Sequence, residues 1–497
     1  MAQRARRLTP EASAQQRFGA DLRTWRSTRA LSQDALGRLI HASGDLIAKI
    51  EKAQRWPSLD IAQRCDAALD TGGALVRLVP LVEVERRRCR AGTQQLAASS
   101  PDGGLSRLFA SALPPADSYG DPDPPGRQTV RLPAGRMFAP ASIKTWSASR
   151  SSGGRSHVTV ACPPRHDMRP GDLLIASAED PSGDRPPLYA AAARRSGAQS
   201  EEIAIPYAYL LDDFTMGILW AARALDDALL DDDRALAQAL ERSSPTDVLR
   251  DPGTTAPHDL TAVSQGWLGS YACARFISTH VRASSGPPLF WTREQHGEEA
   301  AMWLLFDHKV DYLRTLERRF TSRQQPMGRV FCLPESTALA DPPAERILLL
   351  LAAALMEATG VPVHVCADPD YAAVEGFVLT PDNTVLVANW LRTDRAWHAD
   401  VIDRRPAVGS YRDALGFGRA YSVIAADTPH DRLRRLADYL HLDWAWLTTR
   451  AAQLSAVGVG GLVRPRSRLL SVTGIDAACR FLATQTGSGA DLAVPPA

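Results

Sequence analysis

LSQDALGRLIHASGDLIAKIEKAQRWPS, residues 31–58, says more about function than any other stretch of this 497-residue chain. Ser32 and Ser43 stand where helix N-caps are wanted, and Leu36, Leu39, Ile47 and Ile50 recur at helical spacing on either side of a short turn. Two short helices joined this tightly cross steeply, which is helix-turn-helix geometry. Upstream, Phe18, Leu22 and Trp25 form a stripe for a preceding helix. Downstream, Leu59, Ala62, Cys65 and Leu69 form one for a following helix that Ser58 caps after Pro57. The expectation is a four-helix head with the pair from 32 to 51 at its centre.

The segment resembles the Xre family, the phage-repressor and Cro type of bacterial transcriptional regulator, over about residues 17–72. The likeness rests on Leu31-Ser32-Gln33, the pair Leu36 and Leu39, then Ser43, Ile47, Ile50 and Glu51, and the closing Pro57-Ser58-Leu59. It implies that Gln33, opening the first helix of the pair, meets a phosphate through its backbone N–H and amide. It further implies that Ser43, Gly44, Asp45 and Leu46 open a recognition helix that reads base edges in the major groove, while Lys49, Lys52 and Arg55 clamp the DNA backbone. This chain departs from the family at His41, which stands at the usual turn glycine, a position that tends to need φ > 0. Gly44 and Asp45 replace the Arg, Gln, Ser or Thr that ordinarily contact bases, so DNA binding with modest direct readout is expected.

Charge is distributed accordingly. Residues 1–90 hold 17 Lys+Arg against 10 Asp+Glu, net +7, whereas the remainder is net −6 in a chain of total charge +1. Only Lys49, Lys52, Lys144 and Lys309 are lysines among 57 basic residues, so arginine abundance alone argues nothing. Location is the better signal, and two of those lysines fall on the recognition helix.

Hydrophobic content of 45% with 23% charged residues is ordinary for a globular chain of this length, which points to two or three domains. Seven scattered cysteines without a CxxC pair suit a reducing cytoplasm and argue against a disulfide frame or structural zinc. The N-terminus lacks the apolar core of a signal peptide, and the greasiest run, Ile347 to Met356, is too short to span a bilayer. A cytoplasmic protein with no membrane partner is expected.

The expected organisation is multidomain, an all-α head followed by a mixed α+β C-terminal region. Residues 1–16 read as a disordered arm, 17–90 as the DNA-binding domain ending in a helix from about Ala74 to Arg90, and 91–127, with DPDPPG near its end, as a linker. Short β runs between Pro, Gly and Ser clusters make 128–200 a β-rich subdomain. Residues 201–325 read as helical, 326–400 as an α/β segment with a hairpin turning at Asp382-Asn383, and 401–497 as helical again. No internal repeat is visible.

For chemistry, His296 and Glu299 are spaced to share a helix face and offer two metal ligands, but a solvated helix start rich in acids is the plainer reading. GVGG at 458–461 reads as a helix end, and His364 as a satisfied core histidine. Nine of eleven tryptophans lie beyond residue 140, including those of FWTRE at 290–294, which suits a ligand pocket as well as packing. The functional expectation is a non-enzymatic transcriptional regulator. Its head binds double-stranded DNA, and its C-terminal region dimerises and senses a small-molecule or protein effector, with no cofactor. The alternative is that the C-terminal region is a metal-dependent hydrolase and the head serves targeting or autoregulation.

Overall fold

The computed structural model describes residues 14–52, 57, 59–79, 82, 127–148, 150–153, 156–161, 169–177, 187–193, 202–242, 260–281, 286–293, 295–320, 327–389 and 398–485. Contacts divide the chain into two units, Met1–Pro101 and Asp102–Ala497.

In the first unit, α1 (Ala14–Thr28), α2 (Gln33–Leu39), α3 (Gly44–Glu51) and α4 (Leu59–Leu69) enclose a core that includes Phe18, Leu22, Leu36, Ile47, Ile50 and Leu69. Both expected caps form: the Ser32 hydroxyl accepts from Ala35 N at 3.0 Å and that of Ser43 from Leu46 N at 3.1 Å. Leu39, expected inside, is 57% exposed, because Ile40, one turn after Leu36, takes the buried place at the end of α2. Where a helix is expected from Ala74, Val76–Leu78 is a 3-10 turn. The buried Asp66 carboxylate accepts from Leu75 N and Val76 N and so closes that turn tightly. Of the arm expected over 1–16, residues 1–13 lie outside the described residues, as do 83–90 and 91–126 of the expected linker; Ala14 already opens α1 and Arg127 opens β1, which corrects those two boundaries.

The second unit contains three sheets. A four-stranded sheet, ordered β1-β2-β5-β6, is built from β1 (Arg127–Leu132) and β2 (Ala141–Ser147) with β5 (Leu173–Ser177) and β6 (Leu188–Ala192). A three-stranded sheet joins β3 (Arg150–Gly153), β4 (His157–Ala161) and β7 (Glu202–Pro206). The helices α5 (Asp213–Asp231), α6 (Asp233–Arg242) and α7 (Ala262–His280) follow, then β8 (Leu289–Thr292), α8 (Gly297–Leu305), α9 (Asp307–Phe320), β9 (Gly328–Cys332), α10 (Glu335–Ala340), α11 (Pro343–Ala358) and β10 (Val363–Cys366). β11 (Phe377–Leu379), β12 (Val385–Asn389) and β13 (His398–Ile402) complete a mixed sheet ordered β10-β9-β8-β11-β12-β13. The β11–β12 hairpin turns as expected, with Asn383 at φ +62°.

Alternation decides what each face of that sheet meets. Trp291, Val330, Cys332 and Phe377 point toward α12 (Arg405–Ala420), whereas Phe290, Phe331 and Val378 join the main core. The segment read as wholly helical therefore contains β8, a strand from the sheet interior, and β7 pairs back onto β4. A four-residue buried strand carries too little periodicity to be separated from a helix by pattern. The subdivisions expected between 128 and 497 share one continuous core running from Val130 to Leu482.

The chain ends in α13 (Pro429–Tyr439), α14 (Trp444–Val457) and α15 (Thr473–Thr484). Gly458 ends α14 at φ +76°, so GVGG is a helix end as expected. The α13–α14 connection has the same turn geometry as the α2–α3 connection. His41 and His441 both turn the chain, at φ +53° and +52°. Ala42 N donates to Gly37 O at 2.8 Å and Leu442 N to Ala437 O at 2.9 Å. Ser43 caps Leu46 N, and Asp443 caps Trp446 N at 3.0 Å. The likeness is hidden in sequence because an αL turn with a following N-cap constrains the backbone at a few positions and leaves most side chains free.

A left-handed conformation costs a non-glycine residue about 1 kcal/mol. His41→Gly and His441→Gly are therefore each expected to raise stability by about that amount, read as a rise in denaturation midpoint at unchanged slope.

Candidate nucleic-acid interface

Glu51, the last residue of α3, is fully buried with its carboxylate at the junction of three helices. Arg26 of α1 grips it bidentately, Nε to Oε1 at 2.5 Å and a terminal nitrogen to Oε2 at 3.0 Å. The Gln33 amide of α2 donates to Oε2 at 2.7 Å, and Arg23 donates to the Glu51 carbonyl at 2.7 Å. The Glu51 hydrogen bond holds the Arg26 guanidinium above its ordinary value, against the opposing effect of burial. This network sets the angle at which α3 is presented.

The expected site residues fall out as follows. The Gln33 amide nitrogen is turned inward to Glu51, not outward as the expected phosphate contact would need. Ser43 is exposed and caps α3. Gly44 packs on α2, where an added Cβ would meet the Asp34 side chain and lie 2.9 Å from Asp34 Cα. Gly37 is equally confined, a Cβ there lying 2.7 Å from Ala42 O. Both glycines thus permit the close crossing of α2 and α3. Leu46 is half-buried against the head core, since it lies one turn before Ile50. Asp45, Lys49 and Lys52 are exposed, and Asp45 holds the Lys49 ammonium at 2.8 Å. Arg55 lies outside the described residues, as does the Ser58 cap. Sequence reasoning missed the role of Glu51 as a hub; the only signal was an acid directly after the buried Ile50.

In the second unit, His296 and Glu299 do not share a helix face. His296 is the N-cap of α8, and its backbone N–H donates to Glu299 Oε2 at 3.0 Å while its ring meets Asp341 at 3.0 Å. Both residues are thus used to start a helix, but that start is buried, with Glu298 and Glu299 at 0% and 2% exposure, where a solvated one was expected. Around them Arg136 bridges Asp341 and Glu345, each at 2.9 Å, and Glu298 accepts from Met137 N at 2.6 Å. No group of three or more His, Cys, Asp or Glu suited to a metal ion is found among the described residues. His364 is half-buried, and its Nδ1 finds no partner; burial, then Arg419 and Arg432, push it down to about 4.

Residues 17–79 match a family model described as a helix-turn-helix domain. The head is a helix-turn-helix DNA-binding module. Comparison with curated proteins and with solved structures finds no match. Among the described residues, no helix is long and apolar enough to cross a membrane.

Two predictions follow from these charges. Asp45→Asn removes a carboxylate from the exposed side of α3 and frees Lys49, so if α3 meets phosphates, duplex affinity at low salt should rise by roughly threefold to tenfold, and the salt slope should steepen by about 0.9. Helix stability should fall by less than about 1 kcal/mol, since an acid in the first turn favours the macrodipole. Separately, burial and then the Asp341 carboxylate push Glu345 up to about 8. A pKa raised on folding contributes stability that is present below the unfolded value of 4.5 and is lost as pH rises through about 8. Glu345→Gln should flatten that decline in urea denaturation curves collected across this window.

Proposed function

We propose that this chain is an Xre-type transcriptional regulator, acting in the cytoplasm as a homodimer, whose head binds operator DNA and whose C-terminal region responds to an effector without turning it over. The observation that carries the reading is the head itself. A matched helix-turn-helix presents Lys49 and Lys52 on an exposed recognition helix at the basic end of the chain. Dimerisation is proposed because one small head neutralises few phosphates, and tethering a second raises its effective concentration at a neighbouring half-site. The non-catalytic reading draws on the structural use of His296 and Glu299, the pair that a metal-dependent mechanism would have called on first.

The expected outcome is duplex binding by the full-length protein that weakens steeply with salt and discriminates modestly between sequences. Lys49→Ala with Lys52→Ala should weaken binding to all duplexes alike, reducing the salt slope by about 1.8 if both contact phosphates. Electrophoretic or fluorescence titrations that show no salt-dependent binding to any duplex would sink the proposal.

A further inference from the structure

Strands β9 and β10 run parallel and end on facing cysteines, Cys332 opposite Cys366 in the register. Alternation turns both side chains to the α12 face of the six-stranded sheet, among Trp291, Val330 and Phe377. Both are buried, and both are thiols. Just past them Leu333 N donates to Cys366 O at 2.8 Å, so the two backbones are held together at this level. α12 closes over the pair at Gly418, where an added Cβ would stand 3.5 Å from Cys366 Cβ and 2.9 Å from the Trp291 ring.

Spacing decides what two such thiols can do. Neighbouring strands lie about 4.8 Å apart, and a disulfide needs Cα atoms about 4.4–6.8 Å apart. Facing Cβ atoms on one side of a sheet start at about the strand spacing, slightly beyond the roughly 3.5–4.5 Å that a disulfide spans. Closure therefore needs a small inward shift of the two strand ends, and the resulting bond is readily reduced by thiols.

The two sulfurs also divide the chemistry between them. Cys366 accepts hydrogen bonds from the Cys332 thiol and from Asp368 N–H, and the first of these above all, against the opposing effect of burial, brings it down to about 7. At pH 7 about half of such a thiol is thiolate, about fifty times the fraction of an ordinary one near 9, while its intrinsic nucleophilicity is lower by about eightfold. The net gain in reactivity is roughly sixfold. Cys65, Cys273 and Cys479, by contrast, are each pushed by burial up to about 12, which leaves them almost no thiolate. Cys366 is also thinly covered on one side, because the turn Pro369–Ala373 that follows Asp368 contains no buried residue.

We propose that Cys332 and Cys366 form a reversible thiol–disulfide site oxidised by a hydroperoxide, with Cys366 as the attacking sulfur and Cys332 as the resolving one. The oxidant reaches Cys366 through local opening of the 369–373 turn, a short exposed segment of the kind that opens at small cost. The Cys366 thiolate attacks one peroxide oxygen, the O–O bond breaks, the sulfur is oxidised by two electrons to a sulfenic acid, and the departing hydroxide takes up a proton. The Cys332 sulfur then attacks the Cys366 sulfur, the S–O bond breaks, and the leaving hydroxide accepts the Cys332 proton as water. Two thiols and one hydrogen peroxide thus give one disulfide and two waters, and an external dithiol reverses the change by exchange. The site goes beyond the regulatory reading and does not depend on it.

The test uses the full-length protein, reduced, exposed near pH 7 to a small excess of hydrogen peroxide, alkylated and mapped by mass spectrometry. A disulfide joining Cys332 to Cys366 is expected, and dithiothreitol should reverse it without unfolding the chain. Cys366→Ser should slow the loss of the Cys332 thiol by at least about fivefold. Cys332→Ser should let sulfenic acid accumulate on Cys366, where dimedone traps it. In the wild type the rate of Cys366 oxidation should be half-maximal near pH 7. Oxidation of other cysteines that leaves Cys332 and Cys366 as thiols, a Cys332 loss unaffected by Cys366→Ser, or a Cys366 rate still rising steeply past pH 9 would each overturn the site. If both variants fail to fold, the wild-type peptide map and pH profile decide alone.

Discussion

The presentation of α3 depends on one buried carboxylate. Glu51 holds Arg26 of α1 and Gln33 of α2 at once, so the first three helices of the head are tied at a single point. Breaking a buried pair by removing one partner costs about 3–5 kcal/mol, a large share of the stability of a small helical unit. The same network decides which polar groups remain outside. Gln33 turns its amide nitrogen inward, leaving Asp45, Lys49 and Lys52 as the charged groups exposed along α3.

One turn geometry serves two purposes in this chain. At His41 it crosses α2 and α3 closely, because Gly37 and Gly44 leave no side chain between the helices. At His441 the same backbone is flanked by Ala437 and Trp444, and α14 carries a single cation, Arg450, which is buried on Asp212. α14 is therefore a packing helix where α3 is a presenting one. The contrast lies in side chains a few positions from an identical turn, so helix-turn-helix geometry alone does not make a DNA surface.

Buried charge organises the second unit in two ways. Arg432 with Glu357, Arg450 with Asp212 and Arg466 with Asp226 dock the C-terminal helices and their connection through hydrogen-bonded pairs. Lys309 and Arg329 both lie over the Trp303 ring, and Arg329 also donates to the Thr292 hydroxyl. A pair satisfied by its neighbour holds a fold together.

The head was legible over about residues 17–72 because its information is local: two serine caps, apolar residues at helical spacing and a turn that needs φ > 0. The hairpin at Asp382-Asn383 and the helix end at Gly458 were legible for the same reason. What pattern could not assign were contacts between residues distant in sequence. The placing of β8 inside a sheet, the burial of the α8 start with His296 on Asp341, and the meeting of Lys309 with Arg329 over Trp303 all depend on chain segments brought together only by folding. Periodicity records which face of an element is apolar; it holds no record of what that face will meet. The sequence by itself determined a basic helix-turn-helix at one end of the chain, and only tertiary structure decided which of its side chains face outward and where the buried charges of the rest converge.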